Sequence, residues 1–260
     1  MGAEAKMRIV ITGGTRGIGR MLAEALMREH DVFVVSRTRR SVEKTVKETK
    51  GMIKGFVADV TDYKTLGKTY RRIGAFDALI NCAGVLGPVG SLEKTGMREW
   101  ENAVRVNLIG TVNSCRAAMP ALKKSGRGRI INVSGGGAAY PRTYHSAYAT
   151  SKAAVVRFTE CLAEDLTHEG AAVTVNVISP GAHKTGLWSG ETIDKEPDRW
   201  DDPERLVALV KYLLSPGSNG MTGRFISIRD KPESILKTKE DKDHLTLRRI
   251  DDHMFKKIVK

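Results

Sequence analysis

Tyr148 and Lys152 stand four residues apart in the run Tyr148-Ala149-Thr150-Ser151-Lys152. On a helix, that spacing brings a phenol and an ammonium to one face. A cation beside a phenol favours the phenolate, so the pair predicts a tyrosine pKa drawn from its usual ~10 toward neutrality. A phenol tuned in this way gives a proton to a carbonyl oxygen or takes one from an alcohol. Tyrosine and lysine are common on helices, and the pair alone marks no site.

A second run, Thr12-Gly13-Gly14-Thr15-Arg16-Gly17-Ile18-Gly19, changes its weight. Glycines at 13, 17 and 19 permit a tight turn and let the backbone approach an anion closely. The free N–H groups and the dipole of the helix that follows favour a pyrophosphate there. The run lies between an apolar, β-branched stretch and a helical pattern, the context a dinucleotide site requires.

The elements that must position these residues follow from periodicity. Strands are expected at 7–12, 32–36, 53–60, 77–81, 129–133, 173–178 and 225–228. The first helix carries Ile18, Leu22, Leu26 and Met27 on one face. Further helices are expected at 41–49, 62–73, 97–124, 145–169 and 203–214. Strands alternating with helices of this length imply βαβ units. The fold class is therefore α/β, a doubly wound Rossmann-type parallel sheet of seven strands with helices on both faces.

Two regions break the alternation. Residues 182–202, with Trp188 and Trp200, read either as a substrate lobe or as a surface loop with two aromatic anchors. Residues 230–260 read as a charged extension with apolar anchors at Leu245, Leu247, Ile250 and Phe255. The expected organisation is one dinucleotide-binding domain over 1–229, carrying the active site, and that extension.

Composition narrows the function classes. Cys82, Cys115 and Cys161 match no zinc spacing and no redox pair, so no metal is expected and a reducing compartment is. No stretch approaches the ~20 apolar residues of a membrane helix, and Met1 to Lys6 is too short and polar for a signal peptide. A cytoplasmic protein is expected. The formal net charge of +13 is dispersed and accompanied by no groove-reading motif, so nucleic acid is not an expected partner.

Taken jointly and in order, the motifs resemble those of the short-chain dehydrogenase/reductase family, in its compact single-domain branch. The resemblance covers residues 7–228 and includes Asp59-Val60, Asn81-Cys82-Ala83-Gly84, Asn107, Ser134 and Pro180-Gly181 with Thr185. It implies that Tyr148 is the general acid or base, and that Lys152 holds the nicotinamide ribose and lowers the tyrosine pKa. Ser134 would hydrogen-bond the substrate oxygen, and Asn107 would hold a water relaying protons to Lys152. Asp59 and Val60 would flank the adenine, while Asn81, Ala83 and Gly84 would line its ribose. Pro180, Gly181, His183 and Thr185 would contact the nicotinamide end. Homodimers or homotetramers built on the helices at 97–124 and 145–169 are implied as well.

Two departures stand out. The family's catalytic serine usually precedes the tyrosine by thirteen residues, whereas Ser134 precedes Tyr148 by fourteen and Gly135 takes the usual place. Either a one-residue insertion absorbed by Gly135-Gly136-Gly137 returns Ser134 to that role, the favoured reading, or the serine role is weakened. His183 stands where relatives usually carry an aliphatic residue.

Cofactor choice rests on the end of the second strand. An acidic residue there accepts the ribose 2′-OH of NAD and repels a 2′-phosphate. Here Ser36-Arg37-Thr38 occupies the place, with Arg16 in the glycine turn and Thr15 beside it, so NADP(H) is expected over NAD(H). The expected function is hydride transfer interconverting a small-molecule carbonyl and a secondary alcohol. The alternative is a catalytically weak NADP(H)-sensing regulatory protein. Arg142, Tyr144 and His145 make the loop before Tyr148 polar and partly cationic, which suggests a substrate with a polar or anionic handle.

Overall fold

A computed structural model describes residues 6–194, 197, 199–239 and 245–247, and the side chain of Ser189 falls outside it. Seven strands form one parallel sheet in the order β3-β2-β1-β4-β5-β6-β7. They are β1 (Arg8–Thr12), β2 (Asp31–Ser36), β3 (Ile53–Val57), β4 (Ala78–Asn81), β5 (Gly128–Val133), β6 (Val173–Ser179) and β7 (Phe225–Ser227). The helices are α1 (Gly17–Leu26), α2 (Arg39–Glu48), α3 (Tyr63–Ile73), α4 (Met97–Val104), α5 (Gly110–Ser125), α6 (Ser146–His168), α7 (Pro203–Leu214) and α8 (Pro232–Lys237). The expected α/β fold class is the one observed.

The strands are apolar on both faces because both faces are covered. Along β1, Ile9 and Ile11 enter one core with Leu22 and Leu26 of α1 and Leu206, Val210 and Leu213 of α7. Val10, between them, enters the other core with Leu66 and Tyr70 of α3, Leu122 of α5 and Leu166 of α6. Adjacent strand residues feed opposite layers, as the two-residue pleat requires. Asp202 accepts from Glu204 N at 2.9 Å ahead of Pro203, which starts α7.

Several boundaries differ from expectation, each for a local reason. The third strand stops at Val57, because the Asp59 carboxylate accepts from the Thr61 backbone N–H and hydroxyl, both at 2.8 Å, and closes a turn. The helix expected over 97–124 is interrupted by a π-turn at Arg105–Ile109, which separates α4 from α5 and holds Asn107. Helix α8 was not expected. Of the 230–260 extension, only Asp230–Lys239 and Leu245–Leu247 lie within the described residues; Ile250 and Phe255 do not. Leu245 and Leu247 pack on the core, and Phe225 N donates to the Leu245 carbonyl at 2.7 Å.

Strand order reverses direction at β1, whose neighbours are β2 on one side and β4 on the other. The crevice outside the carboxyl ends of β1 and β4 is therefore the place for a ligand. A buried polar row crosses the sheet beneath it. Asn81 Nδ2 donates to Asn132 Oδ1 at 2.9 Å, and Asn132 Nδ2 donates to the Thr159 hydroxyl on α6 at 2.9 Å. That row ties the helix carrying Tyr148 to the strand beside the glycine turn.

Candidate active site

The glycine turn leaves β1 with Gly13 at φ 68°, where a Cβ would lie 2.8 Å from both Cα and N of Ala83. The ends of β1 and β4 thus touch backbone to backbone. A Cβ on Gly19 would lie 2.5 Å from the Gly13 carbonyl oxygen, so this glycine lets α1 pack on its own turn. Gly17, at φ 53°, faces Thr185 across the crevice, with 3.4 Å between its Cβ position and the threonine Cβ.

Arg16 caps α1 in an extended conformation, with no side-chain hydrogen bond and no acidic residue in the first turn. Among the described residues no side chain competes for the donors of Gly17, Ile18 and Gly19, and the arrangement fits a pyrophosphate. Thr15 reaches Ser36 at 3.1 Å, joining the turn to the end of β2. Nearby ion pairs join Arg20 to Glu24 and Glu48, and Arg39 to Glu43. Arg16 and Arg37 are exposed, like Thr38, and form no ion pair among the described residues. Val60 is buried against Gly110, and its carbonyl accepts from Asn113 Nδ2 at 3.0 Å. The Asn81 amide is turned into the buried row, so its strand presents backbone from Cys82 to Gly84 to the crevice.

Across the crevice, α6 carries Tyr148 and Lys152, both buried, with the Lys152 Nζ 5.7 Å from the phenol ring centroid. The expected lowering of the tyrosine pKa is not what the environment produces. Burial pushes the phenol up, and the opposing charge is that of Arg142, not Lys152. Lys152 instead donates to the Val133 carbonyl at 2.8 Å, and burial lowers its pKa to about 8 against the opposing influence of Cys82. The Tyr148 hydroxyl makes no hydrogen bond with a described residue.

Ser134 is not beside that hydroxyl. Its Oγ donates to the Lys152 backbone carbonyl at 3.0 Å, and the residue is 2% exposed. A Cβ on Gly135 would lie 2.9 Å from the Tyr148 hydroxyl. The Ser134 hydroxyl is thus turned to the Lys152 carbonyl, in place of the expected approach to the phenol, and Gly135 is the residue that faces the tyrosine. The Asn107 amide is engaged by protein groups. Its Oδ1 accepts from Val85 N at 2.8 Å, and its Nδ2 donates to the Val85 carbonyl and the Ser151 hydroxyl at 2.9 Å. It pins the segment after β4 to α6, beside Gly84 and Lys152.

After β6, Pro180 and Gly181 (φ 79°) lead into the lobe. His183 Nε2 lies 2.7 Å from the Pro180 carbonyl. The lobe's neck is closed by Asp201, whose N–H donates to the Ala182 carbonyl at 2.9 Å while its carboxylate accepts from Ala182 N at 2.7 Å. Arg229 grips the same carboxylate at 3.0 and 2.6 Å. Trp188 and Trp200 pack edge to face at 5.4 Å inside the lobe.

Replacing Asp201 by Ala leaves the Ala182 N–H and Arg229 without their acceptor, at a cost of about 1–3 kcal/mol. Limited proteolysis is expected to cut within 183–200 several times faster in that variant. The Arg229 hydrogen bond, opposed by burial and helped by Ala182, holds the Asp201 carboxyl below its usual range. Its contribution is complete above the ordinary aspartate pKa and is lost as pH falls through the lowered one. Cutting of the parent should therefore accelerate in acid, and that of the variant should not.

Sequence reading missed Asp201, Arg229, Glu191 and Asp194. Asp201 and Arg229 are 28 residues apart, and no periodic or motif signal joins them.

Residues 7–196 match the family described as short chain dehydrogenase. The chain is 34% identical to 2,3-dihydro-2,3-dihydroxybenzoate dehydrogenase of Bacillus subtilis, over 85% of this chain and 83% of the relative. It is 30% identical to 3-oxoacyl-acyl-carrier-protein reductase of Vibrio harveyi, over 88% and 97%. Among solved structures, 3-ketoacyl-acyl-carrier-protein reductase of Brucella melitensis complexed with NADH superposes with a TM-score of 0.79 at 26% identity, covering 87% of this chain and 97% of that one. Actinorhodin polyketide ketoreductase with NADPH superposes with a TM-score of 0.77 at 25% identity, over 87% and 97%. The chain belongs to the short-chain dehydrogenase/reductase family and is an oxidoreductase built to hold a nicotinamide cofactor. No helix among the described residues is long and apolar enough to cross a membrane.

Proposed function

We propose that the protein is an NADP(H)-preferring oxidoreductase that interconverts a small-molecule carbonyl and a secondary alcohol. The observation that carries this reading is one crevice with the uncapped turn Gly13–Gly19 on one wall and buried Tyr148 and Lys152 of α6 on the other. The names of the relatives, dehydrogenases and ketoreductases, support the reaction class.

When bound, the nicotinamide supplies the hydride chemistry. The chain's own part is to bind, orient and move a proton. Backbone N–H groups at the start of α1 hold the pyrophosphate, with Thr15 and Ser36 joining the turn to β2. Asp59, Val60, Ala83 and Gly84 border the adenosine side, and Pro180, Gly181, His183 and Thr185 the other. Lys152 carries the cation of the site. The Tyr148 hydroxyl, which makes no hydrogen bond with a described residue, gives its proton to the substrate oxygen in reduction and takes it back in oxidation.

The proposed domain runs over 1–229, with the lobe at 182–202 and the extension at 230–260, and assembles as a homodimer or homotetramer in the cytoplasm. Met97 and Ile109, apolar and exposed on and beside α4, support such an assembly.

Arg16 and Arg37 carry the cofactor preference. Each charge-assisted phosphate contact is worth about 1.5–3 kcal/mol, roughly ten- to a hundredfold in affinity. In fluorescence titration NADPH is expected to bind more tightly than NADH. Arg37→Ala should weaken NADPH by that factor and leave NADH unchanged. Tighter NADH binding would overturn the preference, and binding of neither nucleotide would overturn the function. Tight NADPH binding without turnover on a panel of ketones and alcohols would favour the nucleotide-sensing alternative.

A further inference from the structure

The loop before α6 and the lobe after β6 are joined by a charged cluster that the reaction as described does not use. Glu191 is anchored in the lobe: its Oε1 accepts from the backbone N–H groups of Thr192, Ile193 and Asp194 at 3.0–3.1 Å, and its side chain is 2% exposed. Burial pushes the carboxyl up, but the N–H groups of Ile193 and Asp194 and the ring of His145 outweigh it and hold the pKa at about 2. Its Oε2 takes Arg142 Nη2 and His145 Nε2, each at 2.7 Å. Asp194 adds a second carboxylate to Arg142, with Nε at 3.0 Å.

The guanidinium so held lies 5.8 Å from the Tyr148 ring centroid, while Gly135 brings no hydroxyl to the phenol. The loop is also strained. Tyr144 sits at φ 63°, a conformation costly for a non-glycine residue, between Arg142 and His145. His145 fixes it through its Nδ1, 2.6 Å from the Thr143 carbonyl.

We propose that Arg142 is a positioning residue for Tyr148: clamped by Glu191 and Asp194 of the lobe, its guanidinium stabilises the phenolate left when Tyr148 gives up its proton, where Gly135 offers the phenol no hydroxyl. The inference rests on the oxidoreductase reading. The charged and titratable groups around the phenol are Arg142 from the loop and Lys152 from its own helix. Behind Arg142 stand Glu191, Asp194 and His145, and beside Lys152 stands Cys82. Lys152 and Arg142 lie at about the same distance from the ring, 5.7 and 5.8 Å, and it is the Arg142 charge that opposes the effect of burial on the phenol.

The test is the pH profile of kcat/KM for NADPH-dependent ketone reduction in the parent, Arg142→Lys and Arg142→Gln. Loss of the cation is expected to move the limb reporting Tyr148 to higher pH by about one unit and to lower kcat roughly ten- to a hundredfold. Lysine at the position should keep the parent profile. Because Arg142→Gln leaves Glu191 buried without its cation, the double variant Arg142→Gln/Glu191→Gln is measured beside it and should show the same shift. Coincident profiles with a raised substrate KM would overturn the inference and make Arg142 an anion anchor for substrate. No turnover in the parent would overturn the oxidoreductase reading itself.

Discussion

Tyr148→Phe is expected to lower turnover about a thousandfold while leaving NADPH binding in place. The ring is buried beneath the crevice, and phenylalanine refills its volume. The hydroxyl makes no hydrogen bond with a described residue, so its removal leaves no orphaned partner. The melting temperature should move by no more than about 2 °C. What is lost is the proton donor alone. Steady-state reduction of a ketone, with nucleotide binding followed by fluorescence, separates the two effects. Turnover at the parent rate would remove Tyr148 from the reaction.

The largest structural effect is expected at Gly13→Ala. The backbone there has φ 68°, and the new Cβ would lie 2.8 Å from two backbone atoms of Ala83. A left-handed conformation costs a residue with a Cβ about 1–2 kcal/mol. Forcing the ends of β1 and β4 apart adds about 1–3 kcal/mol. The sum is a large share of the roughly 5–15 kcal/mol by which a domain is stable. A fall of about 5–15 °C in melting temperature is expected, together with loss of NADPH binding. Gly126→Ala is the control: φ is 67°, but nothing lies within 4 Å of the added atom. It should pay the conformational cost only and bind nucleotide normally. Equal losses in the two variants would show that the contact with Ala83 carries no weight.

Local signals carried much of this molecule. Glycines at 13, 17 and 19 between an apolar run and a helical pattern signal a turn, because the positive φ at Gly13 and Gly17 and the close approaches at Gly13 and Gly19 favour a residue without a Cβ. Strand and helix alternation was legible because a parallel sheet covered on both faces needs continuous apolar runs, and the strands have them. The four-residue spacing of Tyr148 and Lys152 sufficed to set them on one face of α6.

Other features had no local signal. Whether Ser134 or Gly135 meets the phenol depends on the path of the loop 134–146, which a three-glycine run leaves free and which packing against α6 decides. The tyrosine pKa was read from spacing as lowered. It is raised, because burial of the phenol outweighs the opposing charge of Arg142. The end of β3 was set by a side-chain turn at Asp59, and the π-turn at Arg105–Ile109 holds the Asn107 that pairs with Val85.

The sequence by itself determined the fold class and the turn at the start of α1, because backbone freedom and hydrophobic period act over a few residues. Only the tertiary structure decided which charges surround Tyr148. Arg142 meets Glu191 and Asp194 across 49 and 52 residues, and Asp201 meets Arg229 across 28. Coulomb attraction and burial depend on distance in space, and the spacing of residues along a chain does not encode it.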